Sequence, residues 1–402
     1  MFELNRKKIL FLSSRYPFPL IGGDKIKSYH LLKHLAKHHD VTLVAFSFGD
    51  MPLDDDIKAI ENIGVRAFPI KLNPIQSGLK TGLRLAMEYP LEISFYLTKE
   101  FKKVVDNLLE TEKFDVGIAF FMRSAEYLKD KNIPKILIAE DCRVLYQSRS
   151  FNRSNNILQK AVRWWEVMKL KKYEPNITSK YDIVTLVTQE DILEMKKAND
   201  KIRYRLVTNG VDINRYAPPE DYSTRGKNII FTGKLSVWAN TMMAIKVARD
   251  IMPKILKEVP DAKLMIVGAH PPKSILELQS DYIKVYADVP DLADYYSQAR
   301  VFLHPHDGAS GIQNKLLEAM SAGCAVVTTP TGNQGIYAEH GIHAMISHSD
   351  EDLVNYSIKL LNDLELSKKM SENARQWIIQ THTWQVVFDQ IDVVIKELLD
   401  EK

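Results

Sequence analysis

Short, continuous apolar runs alternate along the chain with longer stretches in which apolar residues return every three or four positions. The runs of the first half are ILFLSS (9–14), VTLVAFS (41–47), VRAFPI (65–70), DVGIAFF (115–121), KILIAE (135–140) and DIVTLVT (182–188). They are rich in Val, Ile and Phe and do not alternate with polar residues. That pattern predicts strands buried on both faces of a parallel sheet. Between them, KSYHLLKHLAKHH places Tyr29, Leu32, Leu35 and Ala36 on one face, which predicts a helix over 24–38. A second series follows residue 217: NIIFTG (228–233), AKLMIVG (262–268), IKVYA (283–287), VFLHP (301–305), AVVTT (325–329) and AMIS (344–347). Two β-α series predict an α/β chain of two Rossmann-like, doubly wound domains with right-handed crossovers. The predicted domains are 1–216 and 217–382, joined near the polar, Pro-containing stretch YAPPEDYSTRG (216–226). Residues 383–402 form a further amphipathic helix. Ligands of open α/β sheets bind outside the carboxyl ends of the strands, so functional residues are expected just after the runs, in a cleft between the two sheets.

Composition narrows the function. A length of 402 residues suits two or three domains, and 45% hydrophobic with 26% charged residues excludes a disordered or fibrous chain. The formal net charge of +3 argues against a nucleic-acid binder. Cys142 and Cys324 cannot form a disulfide framework and suit a reducing compartment. The basic N-terminus lacks a small-residue cleavage site, so its apolar run reads as a first strand rather than a signal peptide. With no run of 18 apolar residues, no membrane span is expected and the cytoplasm is the expected location.

Two loops are candidates for anion binding. Gly22-Gly23 follows the first strand and precedes a helix, where backbone N–H groups can approach an anion; a plain tight turn is the alternative. After VFLHP, a loop with Gly308, Ala309, Ser310 and Gly311 leads into a helix on which Gly311, Asn314, Lys315 and Glu318 share a face. Ile312, Leu316, Ala319 and Met320 form the packing face, and Gly323 suits the helix end. Glu318 could accept the hydroxyls of a ribose diol, or could merely pair with Lys315 on the surface. No G-x-G-x-x-G fingerprint follows any strand, which counts against a nicotinamide oxidoreductase. Asp54-Asp55-Asp56 reads as charge at a helix start, and His30, His34 and His38, with His39, as a solvated or cleft-edge face; no metal is expected.

The chain resembles glycosyltransferase family 4, retaining nucleotide-sugar enzymes of the GT-B fold. The resemblance rests on GGDKIKSYHLLKHLAKHHDVTLVAF (22–46), VTNGVDINRYAP (207–218), the β-α-β unit of 229–271 and LLEAMSAGCAVVTT (316–329), all in the family's order. GDKIKSYHLL and GIQNKLLEAM are most similar to exopolysaccharide sugar transferases associated with PEP-CTERM/exosortase systems. The resemblance implies that Gly22, Gly23, Lys234, Ser310, Gly311, Ile312, Lys315 and Glu318 bind the donor. It implies that Asp141 and Asp24 act beside the reacting hydroxyl, with Arg143 and Lys25 on the acceptor side; Asp141 and Asp24 also suit helix N-caps. Glu318 matches the second glutamate of the family's E-x7-E motif, whereas Ser310 stands where the first would be. Lys234 matches an arginine that contacts the donor diphosphate; a second family lysine falls near Ala239 and is missing, and Lys315 is a candidate to replace its charge. THTWQVVFDQI (381–391) is similar to the start of the family's helix that returns to the first domain.

The implied function is retaining transfer of a sugar from a UDP- or GDP-linked nucleotide sugar to a glycan or lipid-linked glycan acceptor in bacterial surface or exopolysaccharide synthesis, without cofactor or metal. The base contacts are expected near Ala287 to Val289. A non-catalytic nucleotide-binding partner subunit, which Ser310 would favour, and a nucleotide-sugar 2-epimerase are the alternatives. One charge run adds a partner. From Arg143 to Lys180, nine basic residues face only Glu166 and Glu174, among Trp164, Trp165 and Tyr173. That composition suits the surface of an anionic membrane, or a solvated helix with its tryptophans in the core.

Overall fold

A computed structural model describes residues 6–83, 89–153, 156–306, 308 and 311–400. The chain forms two units. The first is Met1–Thr208 with Phe388–Lys402, and the second is Asn209–Val387. The last helix, Trp384–Asp400, begins in the second unit and passes into the first.

The first unit holds seven parallel strands: β1 (Lys8–Ser13), β2 (Asp40–Phe48), β3 (Val65–Leu72), β4 (Val116–Phe120), β5 (Lys135–Glu140), β6 (Ile183–Leu186) and β7 (Tyr204–Leu206). Their order is β3-β2-β1-β4-β5-β6-β7. Four successive residues of β1, Ile9 to Leu12, are fully buried. Neighbouring side chains of a strand point to opposite faces, so such a run must be covered on both sides. The second unit repeats the plan with β8 (Asn228–Thr232), β9 (Lys263–Gly268), β10 (Ile283–Ala287), β11 (Val301–His304), β12 (Ala325–Thr328) and β13 (Met345–Ile346), ordered β10-β9-β8-β11-β12-β13. Both are Rossmann-type orders. They reverse beside β1 and β8, and each reversal opens a crevice at the carboxyl ends of β1/β4 and β8/β11. Every strand-forming run read from the sequence is a strand. The backbones of β8 and β9 approach closely at their ends: a Cβ on Gly268 would stand 1.8 Å from the Gly233 carbonyl oxygen.

At the amino ends of β8, β11 and β12, the chain enters the second sheet through the turn Tyr222–Arg225, and Arg225 is wholly buried with no acidic partner among the described residues. Its guanidinium donates to the carbonyls of Tyr296, Ala299 and Ala322, and reaches Cys324 Sγ at 3.5 Å. These carbonyls lie where the chain enters β11 and β12. A planar group with five N–H donors suits this role, which a lysine could not fill. Among the described residues no helix is long and apolar enough to cross a membrane.

Arg225→Met should destabilise the chain by about 2–4 kcal/mol, because three buried carbonyls lose their donor. Urea unfolding followed by circular dichroism measures this; a loss below about 1 kcal/mol would show that the anchor is dispensable.

Candidate functional site

In the second unit, polar side chains converge at the β8/β11 crevice. The helix Asn314–Ser321 follows β11 and exposes Lys315 and Glu318 on one partly buried face. Tyr296, wholly buried, donates its hydroxyl to Glu318 Oε2 at 3.1 Å and lies 2.7 Å from Thr232 Oγ1 at the end of β8. Tyr216 is a second donor to the same carboxylate. Burial raises Glu318 to about 7, although Tyr296 and Lys315 pull it down. Lys315 Nζ donates to Asn240 Oδ1 at 2.9 Å, and Asn240 Nδ2 donates to the Lys234 carbonyl at 3.0 Å. Burial lowers Lys315 to about 8, with Glu318 opposing. Among the described residues no carboxylate lies within ion-pair reach of Lys315, so a surface pair with Glu318 is not formed.

The sequence-predicted residues of this unit thus fall in one place, with one exception. Lys234 is exposed in the turn after β8. Gly311 has φ +73°, a left-handed backbone that favours glycine, and Ile312 is buried behind it. Ser310, with Asp307 and Ala309, lies outside the described residues. Sequence reasoning missed Asn240, Tyr296, Tyr216 and His304. The last is fully buried at the end of β11, with both ring nitrogens unpartnered among the described residues. Burial, then Lys315 and His306, hold its imidazole neutral. Of these two, Lys315 and not His304 therefore brings positive charge to the crevice.

The first unit gathers its own candidates at the ends of β1 and β5. Gly22 (φ +103°) caps the helix Gly23–His38, so Asp24 stands in the first turn rather than at the cap, and pairs with Arg15 at 3.1 Å. Lys25 Nζ donates to the Phe18 carbonyl at 3.0 Å, and burial lowers its pKa. Asp141 receives Arg143 Nη1 at 3.2 Å. The helix Arg143–Arg153 is capped instead by Glu174, which accepts from the Arg143 and Val144 amides, so the N-cap alternative for Asp141 does not hold. Burial lifts Glu174 to about 8. Arg143 Nη2 also binds Glu92 Oε2 at 2.6 Å; burial would raise that carboxyl, but Arg143 and Arg123 hold it at about 2.

A buried pair missed in the sequence joins the two groups. Lys27 Nζ lies 2.7 Å from Glu140 Oε1, both almost wholly enclosed. Glu140 has φ +71° and breaks the β5/β6 register. A non-glycine residue held there is strained by about 1–3 kcal/mol, and such strain collects at functional sites. Asp54, Asp55 and Asp56 occupy the first turn of a helix, and His34 pairs with Asp392 at 2.9 Å. Among the described residues no three His, Cys, Asp or Glu side chains cluster as a metal site.

Residues 226–363 match the family described as Glycosyl transferases group 1. The chain is 23% identical over 399 residues (96% of this chain, 98% of the relative) to an uncharacterized 44.6 kDa protein in the cps region of Klebsiella pneumoniae. Over 132 residues it is 30% identical to a phosphatidyl-myo-inositol mannosyltransferase of Mycobacterium tuberculosis, covering 31% of this chain and 34% of that one. Among solved structures it is similar to Anabaena HepE in complex with UDP and glucose (TM-score 0.69, 15% identity, 98% of this chain and 100% of that chain). It is also similar to sucrose-phosphate synthase from Thermosynechococcus elongatus (TM-score 0.74, 14% identity, 99% and 100%). The likeness to both structures is one of fold: GT-B, with two Rossmann-like units.

The raised carboxyl of Glu318 sets a pH test. Its folded value of about 7 exceeds the ordinary 4.5, so the stability it contributes is complete below about 4.5 and lost as pH rises through 7. Glu318→Gln, uncharged throughout, should gain on the wild type between pH 4.5 and 7 and keep that gain at pH 8. Melting temperatures across that range measure this; a pH-independent difference would contradict the assignment.

Proposed function

We propose, from the match of residues 226–363 to the group 1 glycosyl transferases and from the GT-B fold, that the chain is a retaining glycosyltransferase using a nucleoside diphosphate sugar. The acceptor is a hydroxyl of a glycan or lipid-linked glycan in bacterial surface or exopolysaccharide synthesis. The observation that carries this reading is Lys315: a partly buried ammonium with one neutral acceptor and, among the described residues, no carboxylate within ion-pair reach, at the crevice where such sheets bind ligands. A diphosphate supplies the missing counter-charge. Lys234, exposed and tied to Lys315 through Asn240, adds a second cation. Glu318, fixed by Tyr296, is placed to accept hydrogen bonds from a ribose diol.

In the proposed reaction the bond from the anomeric carbon to the diphosphate breaks as charge builds on the leaving oxygens. Lys315 and Lys234 stabilise that charge where it develops. The attacking hydroxyl approaches from the same face, and its proton passes to the departing diphosphate, which gives retention. The positive charge comes from lysines, and the reading calls for no metal ion. Asp141, held by Arg143, and Asp24, held by Arg15, orient the acceptor. The Klebsiella relative in a cps region supports a role in surface polysaccharide, and the UDP complex of HepE supports a nucleotide donor.

UDP or GDP should raise the melting temperature, and Lys315→Ala should weaken the better ligand about 10–100-fold, the loss of one charged contact of about 1.5–3 kcal/mol. Affinity should be highest near pH 7–8, where Glu318 is largely ionised and Lys315 still protonated. Lys315→Ala should remove the alkaline limb of that profile. Calorimetry across pH 5.5–9.5 checks both points; unchanged affinity in the variant, or no binding of any nucleoside diphosphate, defeats the reading.

A further inference from the structure

The helix Ile157–Thr178 is apolar on two opposite faces. One face packs on the unit through Val167, Leu170, Tyr173 and Ile177. At 100° per residue, the opposite face over the first three turns carries Ile157, Leu158, Val162, Trp164 and Met168. Their exposures are 84%, 77%, 53%, 56% and 44%. Surface helices ordinarily turn a polar face to water, so a solvent-facing apolar stripe marks an interaction surface. A second helix of the same unit also carries exposed apolar residues. Ile75 and Leu79, one turn apart on the helix Pro74–Leu83, are 78% and 68% exposed. That helix packs on Leu91–Tyr96, whose first amides are held by Glu166 from the long helix.

The charges around the stripe are of one sign. Lys160, Arg163, Lys169, Lys171 and Lys172 flank it, and the single acidic residue among them, Glu166, is buried against the Leu91 and Glu92 amides. Lys169 Nζ lies 4.9 Å from the Trp165 ring, so that indole is itself dressed with a cation.

We propose that this face docks the first unit on an anionic lipid bilayer, with Leu158, Val162 and Trp164 entering the headgroup boundary and the lysines contacting lipid phosphates. An apolar stripe with interfacial aromatics and basic flanks is what lipid of that charge recognises. A second copy of the chain fits poorly, because a two-fold contact would set each cationic flank against its like. The inference goes beyond the transfer reaction and does not depend on nucleotide binding. It also locates the activity of the basic run: Arg143, buried between Glu92 and Asp141, takes no part in it.

The test is co-sedimentation of the full chain with vesicles. Binding should be at least tenfold stronger to phosphatidylcholine with one-third phosphatidylglycerol than to phosphatidylcholine alone, and should fall steeply between 0.1 and 0.5 M salt. Leu158→Ser with Trp164→Ser should weaken it at least tenfold. Lys171→Glu with Lys172→Glu, both exposed positions, should weaken it several-fold with an unchanged melting temperature. UDP or GDP binding, measured alongside, should be unaffected in both. The proposal fails if the wild type binds neither vesicle, if it binds both equally, if both variants bind as the wild type does, or if sedimentation velocity without lipid shows a dimer that the serine variant abolishes.

Discussion

A parallel sheet covered on both faces leaves little room for charged side chains in the middle of its central strands, and this constraint arranges much else in the molecule. Ile9 to Leu12 of β1, and their counterparts in β8, can only be apolar. Charged groups must therefore gather at the strand ends, and the strand order decides which ends stand apart. In the second unit the divergence of β8 and β11 leaves Lys315 and Glu318 neither dry nor fully solvated. Burial moves the two groups in opposite directions, the amine down to about 8 and the carboxyl up to about 7. Each then sits close to the pH at which it changes charge, so a modest field from a bound anion is enough to set both.

The first unit meets the same constraint with a closed device. Lys27 and Glu140 face each other at 2.7 Å inside the protein, one on the helix after β1 and the other at the end of β5. Taking two charges out of water is expensive, and a buried pair seldom adds stability over apolar residues of the same size. Its value here is geometric. It ties the first turn of the helix that carries Asp24 and Lys25 to the strand end that carries Asp141, where Glu140 has a left-handed conformation. Arg143, shared between Asp141 and Glu92, fixes the next position along the chain.

The strands were legible because a fully buried strand writes itself as an unbroken apolar run. The helix face of Lys315 and Glu318 was legible because helical spacing is local. Tyr296, Asn240 and the Lys27–Glu140 pair were not, because they meet their partners only after the sheets have ordered their strands, from far along the chain. Local spacing does not carry such meetings. The helix Ile157–Thr178 stayed open between a membrane surface and a solvated helix with its tryptophans in the core for another reason: only the packing of Val167 and Leu170 and the exposure of Trp164 reveal which face is left uncovered among the described residues. Asp141 was ambiguous between a cap and a functional carboxylate until Glu174, from the long helix, proved to hold the amides in question.

Two cations of the second unit show how burial separates structure from function. Arg225 is wholly enclosed, yet carbonyls of Tyr296, Ala299 and Ala322 take up N–H groups of both its terminal nitrogens, with only Nε left unpartnered among the described residues. It can anchor chain segments and do nothing else. Lys315 is less enclosed but less well satisfied: among the described residues it has one amide oxygen for three N–H donors and no counter-charge within ion-pair reach. A cation in that state has free energy to gain from an arriving anion. Tyr296 touches both worlds, its carbonyl held by Arg225 and its hydroxyl holding Glu318. The rigid edge of the sheet is thereby wired to the edge where charge is left unbalanced, and that imbalance is what a diphosphate would resolve.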